Sequence, residues 1–326
     1  MNIIFFGSTS DSVLVLDALI RLPSSAFSFQ LSAIVTQPPA PIGRKQILTP
    51  TPVELWAKEH TIPVCTFETQ QDKPWLYENE DDVINTLETF KPDLLISACY
   101  GQKIPNTLIA QCTYGGINIH PSLLPRWRGA YPVPWSILAG DAQTGVTLIT
   151  LAEKFDQGLI LSQKKIPLTE TDMAEDIRKK LFTIGADLLI ETLPDYMSGK
   201  LKGTPQKPED ATVARRITRQ DGFVPWELLQ SAMNGIDIPR ENRINSPSSV
   251  VCLLSSILSP LSLAVFQLFR AFSPWPGVWS EITIKREKKR LKILKAHVEG
   301  EKLILDTVQL EGKKPISWEE FEKAYL

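Results

Sequence analysis

The sequence is poor in the residues that build metal centres. It contains only three histidines, which excludes a His-rich metal centre. Its four cysteines are scattered without a C-x-x-C pair, so neither a zinc site nor a disulfide framework is indicated. Cys65, Cys99 and Cys112 lie in or beside apolar runs, which is typical of buried thiols in a reduced protein. We therefore expect a cytoplasmic protein with no bound metal.

An excess of charge of one sign is also missing. The formal net charge is −2 at pH 7, so any contact with nucleic acid has to come from a local basic patch. The first seven residues have no basic n-region and are too short for a signal peptide, but they are typical of a first β-strand. The length of 326 residues is comfortable for two domains.

Strand and helix patterns alternate through the first part of the chain. The predicted strands cover residues 2–6, 31–36, 62–65, 92–100, 115–120, 145–150 and 159–166. The predicted helices lie near residues 13–20, 52–60, 81–90, 132–139 and 171–198, and a loop is predicted at 37–45. This alternation predicts a Rossmann-like, doubly wound α/β sheet over residues 1–200, with its active site at the carboxyl ends of the strands. The first turn lacks G-x-G-x-x-G, so we do not predict a dinucleotide, and Gly7 is interpreted as a tight strand-to-helix turn.

The composition changes at about residue 201. Residues 201–213 are rich in turn formers and are predicted to be a linker. Within 214–326, strand patterns at 278–284, 291–297 and 302–310 are separated by charged turns. They predict a smaller C-terminal β-barrel of OB-like type. Basic residues gather at 285–295 and at Arg215, Arg216 and Arg219, as expected either for solvated turns or for a face that contacts phosphates.

One segment, 244–269, carries no charge at all. It is long enough to raise the possibility of a transmembrane helix. Its serines, Pro260 and its position inside a globular domain favour instead a helical pair broken at Pro260.

Asn118 and His120 end the strand pattern at 115–120. Alternate residues of a strand share a face, so the two side chains emerge together before Pro121 ends the strand. An amide donor beside an imidazole suits a carbonyl substrate, because both can stabilise an oxygen that becomes negative. Taken alone, the pattern is more often that of a strand-end amide and a packed histidine. Asp156 lies on a polar turn between two strand patterns, where a carboxylate by itself is more often a turn residue.

Together these residues resemble the formyltetrahydrofolate-dependent formyltransferases. The similarity rests on N-I-H-P-S-L-L-P at 118–125, R-G at 128–129, T-G-V-T at 144–147 and D-x-G at 156–158. It is greatest to the members of the family that act on methionyl-tRNA. The motifs shared with them are V-T-Q-P at 35–38 with G-R at 43–44, P-T-P-V at 50–53, R-A-F-S-P-W-P-G at 270–277 and L-E-G-K-K-P at 310–315.

The resemblance implies transfer of the formyl group of 10-formyltetrahydrofolate to the α-amine of methionyl initiator tRNA, a step of translation initiation. It implies catalysis by Asn118, His120 and Asp156, with Asp156 pairing with His120 or ordering a water that relays a proton. The implied folate-binding residues are Ser122, Leu123, Leu124, Pro125, Tyr100 and Gly101. The expected tRNA-binding residues are Arg44, Lys45, Arg215, Arg216, Lys288, Lys289 and Arg290. We expect a monomer that has no membrane segment.

The chain departs from the family in three places. Residues at about 230–268 form an insertion, the first turn at 7–11 differs from the usual family sequence, and Gln157 stands where a small residue is common. We expect little consequence from Gln157, because its neighbours match. Two alternatives stay open: a formyltransferase acting on another amine, such as an amino-sugar nucleotide or glycinamide ribotide, and a non-catalytic RNA-binding protein on the same fold.

Overall fold

The computed structural model describes residues 1–22, 29–43, 45–237 and 260–326. Its contacts divide the chain into two compact units. The first unit comprises Met1–Ala130, Gly145–Ile166 and Arg178–Ala214, and the second comprises Tyr131–Thr144, Pro167–Ile177 and Arg215–Leu326. The predicted linker, 201–213, lies within the first unit.

The strands and helices follow the predicted alternation. The strands are β1 Asn2–Phe6, β2 Gln30–Val35, β3 Ala40–Ile42, β4 Ile47–Thr49, β5 Val64–Cys65, β6 Leu94–Ser97, β7 Gly116–His120, β8 Arg128–Gly129, β9 Gln143–Thr150, β10 Ile160–Pro167, β11 Val213–Ala214, β12 Val278–Ile284, β13 Glu287–Glu299, β14 Lys302–Leu310 and β15 Ile316–Ser317. The helices are α1 Ser10–Ile20, α2 Pro52–Glu59, α3 Glu80–Glu88, α4 Asn106–Gln111, α5 Pro132–Leu138, α6 Ala174–Met197, α7 Trp226–Asn234, α8 Leu261–Phe272 and α9 Trp318–Tyr325.

A seven-stranded sheet forms the centre of the first unit. Its strand order is β10-β9-β7-β6-β1-β2-β5. β1 pairs in parallel with β2 and β6, and β6 pairs in parallel with β7, whereas β7 and β9 are antiparallel. All four residues of β6 are buried, as expected for a parallel strand that is covered on both faces. The predicted Rossmann-like class is therefore confirmed.

The turn from β1 to α1 shows why glycine stands at position 7. A Cβ atom there would lie 2.7 Å from the Phe5 ring and 2.7 Å from the Ser12 Cβ. The Ser12 hydroxyl accepts from the backbone N–H groups of Ser8 and Thr9 and donates to the Ala98 carbonyl at 2.6 Å. The turn is thus closed by side-chain bonds and by the absence of a side chain at Gly7.

Residues 37–45, predicted as a loop, contribute to a small hairpin. β3 and β4 pair in antiparallel fashion, with Ile42 opposite Ile47. Ile42, Ile47 and Leu48 are each 60–67% exposed. The loop prediction is therefore wrong for residues 40–42. A two-stranded ribbon that buries neither face carries no apolar alternation from which it could be recognised.

A four-stranded sheet, β12-β13-β14-β15, lies in the second unit. Its paired strands are antiparallel. Along β13, Leu291 and Ile293 are buried, whereas Lys288, Arg290 and Lys292 are exposed. This alternation puts one face of the sheet in the core and leaves the other accessible. The predicted smaller C-terminal β domain is confirmed.

The charge-free segment is only partly within the described residues. α8 begins directly after Pro260, where the helix break was predicted. It buries Leu261, Ala264 and Leu268, and packs against α5, α7 and the small sheet. The first part of the segment, and with it the first helix of the predicted pair, lies outside the described residues. Within the ranges that the structure describes, no helix is long and apolar enough to cross a membrane.

Candidate active site

β7 carries Asn118 and His120 to its carboxyl end. In the sheet, Asn118 lies opposite Ser97 of β6 and Ile149 of β9, and His120 lies opposite Thr147 of β9. Ile117 and Ile119, which alternate with these two residues along the strand, are buried. The Asn118 side chain is half-buried and forms no hydrogen bond with any residue that the structure describes. Its carboxamide is therefore available to a substrate atom.

His120 is buried, and both of its ring nitrogens face oxygen atoms. Nε2 lies 2.9 Å from the carbonyl oxygen of Trp127, and Nδ1 lies 3.4 Å from Oδ1 of Asp156. A carbonyl oxygen can only accept, so we infer that Nε2 carries a proton. The Asp156 carboxylate faces the ring at Nδ1, on the side away from the Trp127 carbonyl, and can accept from that nitrogen.

Asp156 occupies a turn that holds its carboxylate in place. Its backbone is left-handed, with φ of +57°, a conformation that costs an L-residue on the order of 1 kcal/mol. Oδ2 accepts from the backbone N–H of Gly129 at 2.8 Å, which leaves Oδ1 toward His120. A Cβ atom at Gly158 would lie 1.7 Å from the carbonyl oxygen of Thr150. The glycine of the D-x-G motif is therefore required because this turn lies close to β9.

The loop after β7 is fixed by its own hydrogen bonds. The Ser122 hydroxyl donates to the Arg126 carbonyl at 2.8 Å, and the peptide bond between Leu124 and Pro125 is cis. The Thr147 hydroxyl donates to the Ser122 carbonyl at 2.6 Å and accepts from the Leu124 N–H at 3.2 Å. Ser122 and Leu124 are buried, while Leu123 and Pro125 keep partly exposed side chains. The loop can thus contact a ligand through its backbone and through these two side chains.

Tyr100 and Gly101, the other predicted folate residues, follow β6. The Tyr100 ring is buried in the core, and its hydroxyl lies 2.7 Å from that of Tyr77. Burial raises the pKa of Tyr100 well above its usual range. Gln37 Nε2 donates to the Tyr100 carbonyl at 2.8 Å. Gly101 is exposed with φ of +82°, so in this pair the accessible group is the Gly101 backbone.

Cys99 is the thiol nearest to these residues in sequence, at a left-handed position of the same turn. Burial, together with the negative charge of Asp11, raises the pKa of Cys99 to about 12. The thiol is therefore protonated near neutral pH and does not serve as a nucleophile. Asp11 is itself buried and pairs with Arg178 at 2.7 Å. No group of three or more His, Cys, Asp or Glu side chains that could hold a metal ion occurs among the described residues.

The predicted tRNA-binding residues fall in both units, and each unit is described by itself. Lys45 is exposed in the turn of the β3–β4 hairpin in the first unit, and Arg44 lies outside the described residues. In the second unit, Arg216 is exposed, but Arg215 forms two hydrogen bonds to Asp221, of 2.6 and 3.0 Å, which raise the pKa of Arg215. Its guanidinium also lies 5.1 Å from the Trp135 ring. Arg215 thus has an ion-pair partner within the protein, and its contact with tRNA stays a prediction.

β13 separates the remaining basic residues. Lys288, Arg290 and Lys292 share the exposed face, and we call these three residues the basic stripe. Arg290 lies 4.3 Å from the Trp279 ring, whose Nε1 donates to the Arg219 carbonyl. Lys289 is on the other face and pairs with Glu287 at 2.7 Å.

Four residues that hold this site were not recognised in the sequence: Trp127, Gln163, Gln206 and Thr212. The Trp127 carbonyl contacts His120, and Gln163 Nε2 donates to the Leu124 carbonyl at 2.8 Å. Gln206 and Thr212 lie in the predicted linker and bond to the loops around Asp156 and Trp127. The bonds of Gln163 to Leu124, of Gln206 to Asp156 and of Thr212 to Trp127 join residues 39, 50 and 85 positions apart, so no local pattern marks them.

The chain is similar to several known proteins. A family model described as formyl transferase matches residues 1–193. The methionyl-tRNA formyltransferase of Listeria monocytogenes is 36% identical over 301 residues, which are 92% of this chain and 80% of that protein. The enzyme of the same name from Enterococcus faecalis is 34% identical over 320 residues, 98% and 95% of the two chains. The structure of HypX from Aquifex aeolicus in complex with tetrahydrofolic acid has a TM-score of 0.52 at 16% identity, over 91% of this chain and 38% of that one, a similarity of fold alone.

Proposed function

Because the chain belongs to the formyl transferase family, and within it to the methionyl-tRNA formyltransferases, we propose that it formylates the α-amine of methionyl initiator tRNA, with 10-formyltetrahydrofolate as the formyl donor. The observation that carries the site assignment is the Asn118 carboxamide beside His120 at the end of β7, which has no hydrogen-bond partner among the described residues. We further propose that the enzyme acts in the cytoplasm as a monomer. In this proposal residues 1–200 perform the chemistry, and 214–326 bind tRNA.

The proposed chemistry begins with the neutral amine of methionine attacking the formyl carbon. As the bond forms, negative charge develops on the formyl oxygen. Asn118 donates its amide N–H to this oxygen, an interaction that strengthens as the charge grows. Because that amide has no partner to give up among the described residues, its donation to the substrate replaces no protein contact.

His120 and Asp156 handle the proton in this proposal. The imidazole donates from Nε2, either a hydrogen bond to the formyl oxygen or a proton to N10 of the folate as the bond between N10 and the formyl carbon breaks and tetrahydrofolate leaves, while the Asp156 carboxylate faces Nδ1. The Trp127 carbonyl now accepts from Nε2, so a substrate atom has to compete with it for this proton. Asp156 is equally placed to order a water that relays the proton from the amine.

Folate is proposed to lie along the turn after β6 and the loop after β7. The exposed backbone of Gly101 and the partly exposed side chains of Leu123 and Pro125 fit a flat heterocycle that is held by backbone groups on one side and by apolar contacts on the other. Tyr100 would support this turn from the core and would not touch the ligand with its ring.

The tRNA substrate is proposed to bind two surfaces. One is the β3–β4 hairpin, which presents exposed Lys45 together with exposed Ile42 and Ile47. The resemblance implies that this loop meets the acceptor end. The other is the basic stripe, whose three side chains follow one strand on an accessible face. Lys288 and Lys292 have no ion-pair partner among the residues that the structure describes, and such cations are suited to a phosphate backbone.

The deciding experiment measures formyl transfer by the purified protein. Methionyl initiator tRNA and 10-formyltetrahydrofolate are incubated with the protein, and formylmethionyl-tRNA is quantified. An amino-sugar nucleotide and glycinamide ribotide are tested as competing acceptors. Formylation of one of these acceptors in place of the tRNA would contradict the proposed substrate, and tRNA binding without any transfer would support the non-catalytic alternative.

The basic stripe yields a separate prediction on salt dependence. Replacing both Lys288 and Lys292 by glutamine should raise KM for tRNA and lower the slope of log affinity against log salt by about 1 for each lysine that contacts a phosphate. Arg290 is left in place, because its stacking on Trp279 supports the sheet. The measurement is tRNA affinity and KM at several salt concentrations, with KM for folate as the internal reference.

A matched control removes the same charge elsewhere. Lys200 and Lys202 are exposed lysines in the first unit, and the double glutamine variant at these positions should leave the salt slope unchanged. If the two double variants change the slope equally, the effect is one of net charge, and the stripe is not a phosphate-binding surface.

A further inference from the structure

The carboxamide of Gln206 links two loops of the candidate active site. Its Oε1 accepts from Arg128 Nε at 2.9 Å and from Nη2 at 2.7 Å. Its Nε2 donates to the carbonyl oxygens of Asp156 at 2.8 Å and Gly158 at 2.9 Å. A primary amide has two N–H donors, and both are used here.

These bonds lie next to the contact that orients the catalytic carboxylate. Gly129, which follows Arg128, donates its N–H to Oδ2 of Asp156. Gln206 thus binds Arg128, which precedes the donor Gly129, and the backbone of the acceptor Asp156. Because Asp156 is in a left-handed conformation, its carbonyl direction is set by that backbone, and Gln206 binds the carbonyl on each side of residue 157. We call the bonds of Gln206 to Arg128, Asp156 and Gly158 the clamp. Loss of the clamp frees the turn that points Oδ1 of Asp156 at His120.

The segment 206–214 also fixes the Trp127 carbonyl oxygen, which is the other oxygen that faces His120. The Thr212 hydroxyl accepts from the N–H of Trp127 at 2.9 Å, and the Thr212 carbonyl accepts from the N–H of Arg128 at 2.9 Å. β11 then pairs in parallel with β8. The stretch 206–214 is therefore fastened to both loops that contact the imidazole, and Gln206 is its one side chain that reaches both.

We propose that Gln206 is a positioning residue for the transfer reaction, which sets the distance and angle between Asp156 and His120 by clamping Asp156, Gly158 and Arg128. This inference rests on the proposed function. Gln206 does not touch the reacting atoms; it acts through Asp156. A displacement of a catalytic group by about 1 Å is enough to slow a reaction roughly 100-fold.

The variant that isolates this role is Gln206→Glu. It is isosteric and keeps the acceptor for Arg128, but it loses both donors to the carbonyls of Asp156 and Gly158. We expect kcat to fall roughly 10- to 100-fold. KM for folate and for tRNA should stay within about twofold, since the clamp does not contact either substrate. Lys207→Ala removes the exposed neighbouring side chain and should leave all three constants unchanged.

A double-mutant cycle distinguishes positioning from general stability. If Gln206 acts through Asp156, then in an Asp156→Asn background the change Gln206→Glu should alter kcat by less than about twofold. Losses that multiply would overturn the inference, as would a loss confined to KM or a Gln206→Glu enzyme of normal kcat. If the glutamate variant does not fold, the cycle is run with Gln206→Met; failure of both to fold would make Gln206 a stability residue and also overturn the inference.

The experiment distinguishes failure of the proposed function from failure of the positioning role. If the unaltered protein fails to formylate methionyl-tRNA, the proposed function falls before any variant is made. If the unaltered protein formylates methionyl-tRNA and the Gln206 variants match its kcat, only the positioning role falls.

Discussion

Replacement of His120 by alanine is expected to slow formyl transfer by roughly 10²–10³-fold. The imidazole is buried between two oxygens, and no second histidine or lysine among the contacts described for this site can supply its proton. The loss should appear in kcat, because the interaction with the developing charge exists only in the transition state. Single-turnover transfer with both substrates saturating measures it directly.

The companion variant Asp156→Asn tests whether the two residues act as one unit. Asparagine keeps an acceptor for the Gly129 N–H but removes the negative charge that faces Nδ1 of His120. If charge stabilisation is the role of Asp156, the double variant should be no slower than the slower single variant. His60→Ala is the control, since His60 is exposed and stacks on Trp56. Near-full rates for both His120→Ala and Asp156→Asn would refute the catalytic assignment.

Residues on regular strands could be placed from the sequence alone. Asn118 and His120 follow from the two-residue period of a strand that ends at a proline, and the structure has both on β7. Their flanking isoleucines are buried, as that period requires. Asp156 could be nominated only through the resemblance, because a left-handed turn residue has no periodicity.

Side chains that act through hydrogen bonds between distant segments could not be placed. Gln206 lies between Pro205 and Lys207, in a stretch whose composition indicates a linker, yet its partners are 48 to 78 residues away. Arg215 illustrates the limit of reasoning from charge, although its contact with tRNA stays a prediction. It was expected to contact phosphate because it neighbours other arginines, whereas the structure pairs it with Asp221 and stacks it near Trp135. Charge density in a sequence does not reveal which cations already have partners.

Replacing Gly158 by alanine should have the second largest effect on the enzyme. The added Cβ would lie 1.7 Å from the Thr150 carbonyl oxygen and 2.8 Å from its side-chain oxygen. A backbone atom of the central sheet cannot rotate away, so the turn itself has to move. Overpacking of this kind typically destabilises a protein by about 1–3 kcal/mol, occasionally more. Since a shift of about 1 Å in Asp156 is sufficient, kcat should fall by roughly 100-fold or more.

Gln157→Ala is the matched control, because it changes the same turn at an exposed side chain and should leave both rate and melting temperature unchanged. A Gly158→Ala enzyme that melts earlier but retains its kcat would mean that Asp156 keeps its position while the turn shifts elsewhere. That result would separate the D-x-G glycine from catalysis. The expected result is a lower kcat together with a lower melting temperature. It follows because the Thr150 carbonyl oxygen clashes with a Cβ atom at residue 158, while Gln206 binds the carbonyls of residues 156 and 158. In the unaltered turn both contacts are satisfied while Oδ1 of Asp156 faces His120.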